Sequence, residues 1–391
     1  MSKDKSGRHI KTGLVASGRP HDGTSYPVSQ PVERASTILY PTYDSFMKKN
    51  KDYVYGRFGT RSHRALTESL CELEKGDYTH LTPSGLSAIT TCLLALAKTG
   101  DHILITDSCY DPVRSIGDRF LNRYGIEVEY YDPRAGGDIA ALLKPETKAI
   151  LCESPGSLTF EVQDIPAITA AARSRNVPVV VDNTWSAGYF FNPLEAGATV
   201  SIQSITKYIA GHADCLMGSM TTNDKAISTR LERTTRQLGL NVSADDAFLA
   251  HRGVRSLSSR LKVHEANALE LANWLALQPD VTQILHPARP DHPDHALWKR
   301  DFSGASGLFG FVLAPCPEKQ LARFFDSLSY FGMGYSWGGF ESLIIPCPVA
   351  EYRSATPWDY EGTLIRVHAG LEDITDLVND LETGFQAMRN E

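Results

Sequence analysis

From residue 102 to residue 222 the chain alternates short runs rich in β-branched and other apolar residues with longer stretches of helical spacing. The runs are HILITD (102–107), IEVEYYD (126–132), KAILCES (148–154), VPVVVDN (177–183), TVSIQS (199–204) and CLMGSMTT (215–222). In 84–97, 112–124 and 165–175 apolar residues recur at three- and four-residue intervals, as one face of a helix requires. Such alternation builds βαβ units, so the expected class is α/β with a mostly parallel sheet covered on both faces. At 391 residues the chain is too long for one ordinary core. Near residue 256 the alternation stops. A helical stretch over 256–277 follows, then sparser strands in GLFGFVLA (307–314) and GTLIRVHA (362–369). A closing helix carries Ile374, Leu377, Val378, Leu381 and Phe385 on one stripe. The expected division is an extended arm over 1–60, an α/β domain over 61–255 and a smaller C-terminal α+β domain over 256–391.

Composition removes several function classes. A formal net charge of −7 and a pI near 6.0 argue against nucleic acid as the main partner, because phosphate backbones select for clustered Lys and Arg. No apolar run is long enough to span a membrane. The polar, basic start from Met1 to His9 has no apolar stretch behind it, so no secretory leader is expected. Seven cysteines, an odd number without a CxxC pair, read as reduced core thiols of a cytoplasmic protein, with no metal site among them. His286, His292 and His295 share the Pro-rich stretch HPARPDHPDH, which reads as a solvated loop.

Ligands of open α/β sheets bind beyond the carboxyl ends of the strands. Four features are expected on that rim: Ser84-Gly85 after HLTP, Tyr110 after HILITDSC, Asp182 after VPVVV, and Ser204 to Lys207 after TVSIQ. Taken singly, each has an ordinary alternative: a helix cap, a half-buried loop tyrosine, a strand-end turn, a surface lysine. Together they supply what pyridoxal 5′-phosphate (PLP) needs. Lys207 offers an amine for imine formation, kept usable as a free base by desolvation. Asp182 offers a carboxylate that keeps the pyridine nitrogen protonated. Tyr110 offers a ring that stacks. Thr82-Pro83-Ser84-Gly85-Leu86-Ser87 opens a helix that presents N–H groups to a phosphate, with the Ser204 and Thr206 hydroxyls beside it.

Ser204-Ile205-Thr206-Lys207-Tyr208, with Val181-Asp182-Asn183-Thr184 upstream and Gly211-His212 downstream, resembles the cofactor signature of the Cys/Met-metabolism PLP enzymes. The resemblance runs from about residue 10 to the end. It implies the fold-type I, aspartate-aminotransferase-like architecture and a homo-oligomer, usually a dimer of dimers. It implies Lys207 as the Schiff-base lysine, Asp182 as the pyridinium partner and Tyr110 as the stacking ring, with Gly85, Leu86, Ser204 and Thr206 on the phosphate. Tyr55-Gly56-Arg57 matches the family's Tyr-x-Arg, whose side chains reach the phosphate of the neighbouring subunit, so an active site would need two chains. Arg366 matches the arginine that grips the substrate α-carboxylate. From the residues alone, an Arg among Leu364, Ile365 and Val367 reads as a sheet residue with a salt-bridge partner.

Within the family three stretches resemble the bacterial cystathionine β-lyase branch. Glu153-Ser154-Pro155-Gly156-Ser157 has Ser where γ-eliminating relatives carry Asn. Tyr335-Ser336-Trp337-Gly338-Gly339-Phe340-Glu341-Ser342 resembles that branch's Tyr-x-Trp-Gly-Gly-x-Glu-Ser. Pro112 stands where methionine γ-lyases carry Cys. The implied reaction is β-elimination of an amino-acid thioether, L-cystathionine, with Lys207 and Tyr110 catalytic and Arg366, Ser336, Trp337, Tyr335 and Ser157 around the substrate. The alternatives are a cysteine or cystine C–S lyase, a γ-lyase and a γ-synthase. Phe58 and Ser115 depart from the branch, at positions expected near the distal end of the substrate, where Arg61 or Arg114 would have to compensate. A rival class shares one motif: Ser204-x-x-Lys207 with Lys98-Thr99-Gly100 resembles the serine acyl enzymes.

Overall fold

The computed structural model describes residues 8–19, 25–48 and 53–390; the start of the chain, Met1 to Gly7, lies outside them. Eleven strands form two sheets: β1 (Tyr78–Thr82), β2 (His102–Thr106), β3 (Glu127–Tyr131), β4 (Thr147–Glu153), β5 (Val179–Asp182), β6 (Val200–Ser204), β7 (Gly218–Thr222), β8 (Val281–Leu285), β9 (Leu308–Leu313), β10 (Leu343–Cys347) and β11 (Thr363–His368). The first sheet has the order β1-β7-β6-β5-β4-β2-β3, with β7 alone running against its neighbours. The second, β10-β11-β9-β8, is antiparallel throughout. This is the fold-type I arrangement of a large, mostly parallel sheet with a smaller antiparallel one.

The alternation of the sequence explains the first sheet. Val180, Ile202, Ile103, Ile105 and Leu151 pack with the helix Gly85–Leu96 on one face, while Leu104, Ile150, Val179 and Val181 join the main core on the other. Both faces are therefore apolar, as crossover helices require. The second sheet buries Phe309, Phe311, Ile365 and Val367 against the closing helix Ile374–Arg389, whose Leu377, Leu381 and Phe385 form the expected stripe.

Four expectations change. The arm over 1–60 is not wholly extended: within its described part lie helices Ile10–Ala16 and Tyr43–Lys48 and a 3-10 turn at Gly56–Phe58. The stretch 112–124 is not one helix but a short α-helix Asp111–Ser115, a π-helical turn Ile116–Leu121 and a 3-10 turn Asn122–Tyr124. The helix expected from 256 begins at Ala244, where Ser243 accepts the N–H of Asp246 at 3.0 Å, and runs to Leu275. It thus passes straight through the sequence break between the two expected domains. Finally, the stretch around His286 is solvated only in part, with Pro290, Asp291 and Pro293 exposed. His286 and His292 are buried, accept the N–H groups of Ala288 and Asp294, and are pushed by burial down to about 3 and about 4, so both are neutral.

Candidate active site

Strands β2, β4, β5 and β6 are parallel, so their carboxyl ends share one edge. Chain order then places Tyr110, Glu153, Asp182 and the segment Ser204–Lys207 along that rim. β1, antiparallel to β7 as β6 is, delivers Ser84 and Gly85 to the same edge. Lys98-Thr99-Gly100 sits at the opposite edge, just ahead of β2, so the acyl-enzyme motif is not assembled.

Lys207 is only partly accessible, and its Nζ donates to Ser336 Oγ at 2.7 Å and lies 5.0 Å from the centre of the Trp337 ring. Burial, with Arg366 nearby and Asp182 opposing, lowers its amine to about 8. A lysine so placed holds a substantial free-base fraction near neutral pH. The Ser336–Gly338 turn presses on this residue. Gly338 has φ +86°, and a Cβ there would stand 2.8 Å from the Tyr208 N and 2.9 Å from the Lys207 carbonyl carbon.

Asp182 and Glu153 end adjacent strands and pair in register. Two carboxylates desolvated side by side cannot both ionise readily. Burial, reinforced by Asp182, pushes Glu153 up to about 8. Burial also raises Asp182, but Thr184 answers it through its N–H at 3.0 Å and its hydroxyl at 2.5 Å, and Lys207 adds an attractive charge. The negative charge therefore settles on Asp182 and the proton on Glu153, which accepts from the Tyr110 N–H at 2.8 Å and from the Ser157 hydroxyl. Asp182 and Lys207 feel each other electrostatically yet form no direct ion pair.

Ser84 caps the helix Gly85–Leu96 by accepting the N–H of Ser87 at 3.1 Å, and among the described residues no acceptor engages the N–H groups of Gly85 and Leu86. A Cβ at Gly85 would fall 2.6 Å from Ser204 Cβ. The helix start is thus laid directly on the end of β6. Thr206 differs from expectation in detail: its hydroxyl donates to the Met217 carbonyl at 3.2 Å and accepts the Met217 N–H at 3.0 Å.

Arg366, on β11, is nearly buried, yet among the described residues no carboxylate pairs with it. Its Nη2 donates to the carbonyls of Ser336 at 2.9 Å and Gly334 at 3.5 Å. The salt-bridge partner that the sequence alone suggested is missing. Tyr110 is raised by burial and by Glu153, so its phenol stays protonated at neutral pH. Tyr335 stands almost fully exposed beside this group. Tyr55 and Arg57 are not on the rim. Arg57 Nη1 donates to the Arg236 carbonyl at 3.1 Å and its guanidinium packs on Phe58.

Two residues escaped the sequence reading. Thr184 links Asp182 to Ser204, whose N–H it accepts at 2.8 Å. Glu153 was quoted only as part of a motif. It ends a buried strand in the way Asp182 does, and that parallel was the available signal.

The chain matches the Cys/Met metabolism PLP-dependent enzyme family over residues 11–386, and it belongs to that family. It is 40% identical to Cystathionine beta-lyase MetC of Escherichia coli K12 over 97% of this chain and 98% of the other. It is 44% identical to a putative cystathionine beta-lyase of Rhizobium johnstonii, over 97% and 96% of the two chains. The crystal structure of metB from Corynebacterium glutamicum superposes with a TM-score of 0.92 at 27% identity, covering 99% of this chain and all of that one.

The rim fits PLP on its own chemistry. It joins a free helix N-terminus, a desolvated amine, a doubly hydrogen-bonded acid that makes no ion pair with that amine, and a guanidinium without a carboxylate partner among the described residues.

Proposed function

We propose that this chain is a carbon–sulfur lyase that converts L-cystathionine and water to L-homocysteine, pyruvate and ammonia, a step of methionine biosynthesis. The observation that carries the reading is the buried Arg366 without an acidic partner on the same rim as Lys207. An uncompensated buried guanidinium is costly unless a ligand carboxylate completes it, and a fork of two N–H bonds fits the α-carboxylate of an amino acid. The full-length likeness to cystathionine β-lyases supports the choice of substrate.

Bound in this rim, PLP supplies an electron-accepting ring that acidifies the substrate Cα–H. The chain's own residues do the rest. The N–H groups of Gly85 and Leu86 and the Ser204 hydroxyl hold the phosphate, with Thr206 beside them. Tyr55 and Arg57 reach the phosphate in a neighbouring subunit. Asp182 keeps a proton on the pyridine nitrogen, and Thr184 keeps Asp182 charged and oriented. Arg366, steadied by the Ser336 carbonyl, fixes the α-carboxylate, with Trp337, Tyr335 and Ser157 around the substrate. Lys207, partly deprotonated, removes the Cα proton. The resulting ammonium of Lys207, or the phenol of Tyr110, delivers a proton to sulfur as the Cβ–S bond breaks. Shared sites imply a homo-oligomer, read here as a dimer of dimers. Among the described residues no helix is long and apolar enough to cross a membrane, and the free cysteines accord with a cytoplasmic enzyme.

Product analysis with L-cystathionine tests the proposal. Pyruvate with homocysteine is expected, and Lys207→Ala should abolish it. Release of 2-oxobutyrate with cysteine would instead make the protein a γ-lyase, and loss of Cα chirality without cleavage would make it a racemase.

A further inference from the structure

Phe58 is exposed and has two guanidinium groups against its ring: Arg57 Cζ at 4.6 Å and Arg236 Cζ at 4.4 Å from the ring centre. The carbonyl of Arg236, in the last turn of the helix Lys225–Gln237, accepts from Arg57 Nη1, so both cations are held by one local framework. Arg236 Nη2 lies 2.6 Å from Glu232 Oε1, one turn back. Among the described residues no carboxylate pairs with Arg57. Two cations and one acid on one aromatic platform leave a net positive charge directed at solvent, which is the charge balance of an anion site.

The two arginines that the sequence suggested for the distal end of the substrate both have acidic partners, Arg114 a buried one. Arg61 bonds Glu33 through its side chain at 3.4 Å and its backbone N–H at 2.8 Å. Arg114 pairs with the buried Asp107, donates to Ser354 Oγ at 3.0 Å and stacks on Tyr130. Arg236 is likewise held by an exposed ion pair, which is easily exchanged, and differs from Arg61 in sharing the Phe58 ring with Arg57.

We propose that Arg236, mounted on Phe58, binds the distal carboxylate of the amino-acid thioether in the site that Arg57 reaches on the neighbouring subunit. In this chain Phe58 thereby serves as the platform for a cation supplied from another helix. The inference rests on the lyase reading of that site. Arg57 then faces the phosphate and Arg236 the substrate, which gives each cation its own anion.

The test is calorimetric titration of L-cystathionine into the PLP-loaded Lys207→Ala protein, with and without Arg236→Gln. The dissociation constant should weaken roughly tenfold with Arg236→Gln and recover in part with Arg236→Lys, because one charge-assisted contact is at stake. S-propyl-L-cysteine, which lacks the distal carboxylate, should weaken much less. An equal change for both ligands, or no change for cystathionine, overturns the proposal. Pyruvate release by the wild-type holoenzyme is scored separately, so failure of the lyase reading shows there while the binding titrations still decide the role of Arg236.

Discussion

Gly85 lies against Ser204 so closely that a Cβ on the glycine would stand 2.6 Å from the serine's own Cβ. A helix start and a strand end are thereby fused into one cradle whose N–H groups have no acceptor among the described residues. Gly85→Ala must push one of the two away. The expected result is a PLP dissociation constant weakened roughly tenfold or more, with a loss of about 1–3 kcal/mol of stability. Titration of the apoprotein, followed by visible absorbance, measures the first.

Glu153 gives the protein a pH dependence of known sign. Its folded value, raised by burial and by Asp182 to about 8, exceeds the ordinary carboxylate value of 4.5. The folded state therefore holds the proton more tightly, so this stability is complete below 4.5 and is lost as pH rises through about 8. Glu153→Gln, neutral at every pH, should flatten the decline between pH 5 and 8 by roughly 2–4 kcal/mol. Denaturant unfolding of the apoprotein at several pH values checks this; parallel curves for the two proteins would contradict it.

Asp107 fastens a distant segment to the rim. Its carboxylate, buried at the end of β2, accepts the N–H groups of Ser354, Ala355 and Thr356 and pairs with Arg114. Burial is the largest single effect and would raise Asp107, but the three N–H donors and Arg114 together outweigh it and hold the carboxyl below its ordinary value. Asp107→Asn keeps the shape and removes the charge. It should cost roughly 3 kcal/mol and speed amide exchange at 354–356 ahead of the rest of the chain.

Arg366→Met separates activity from stability. No carboxylate in the described chain depends on this guanidinium, so the folded protein should hold its melting temperature or gain slightly. Turnover should suffer instead, with kcat/KM down by about 10²–10³ through loss of the carboxylate fork. A large drop in melting temperature would return Arg366 to a structural role.

Much of the site was readable because strand ends announce themselves. Val179 to Val181 form a buried run, and the acid that follows must lie at its carboxyl end; the same reasoning placed Ser204 and Lys207 after Val200 to Ser201 and Ile202. Periodicity served the closing helix equally well. It failed at 112–124, where apolar spacing survives although the backbone passes through α, π and 3-10 geometry, since π and 3-10 turns each depart from the α-helix by less than one residue per turn. It also failed around His286, where prolines suggested water but buried imidazoles accept backbone N–H groups. Arg236 left no periodic trace at all. Its partner Phe58 lies nearly two hundred residues away in the chain, and only folding shows that the two touch.

The 32-residue helix Ala244–Leu275 is a single rigid strut fixed at both of its working points. Arg260 grips the carbonyls of Tyr208 and Ile209, immediately after the reactive lysine, at 2.7 and 3.3 Å. One and two turns further on, His264 and Asn267 hold the backbone of Ala369, Gly370 and Glu372, just beyond the strand that carries Arg366. The amine proposed to handle the proton and the guanidinium proposed to hold the carboxylate are thus bolted to the same beam, so their spacing is set by helix pitch and does not depend on how two domains happen to be oriented.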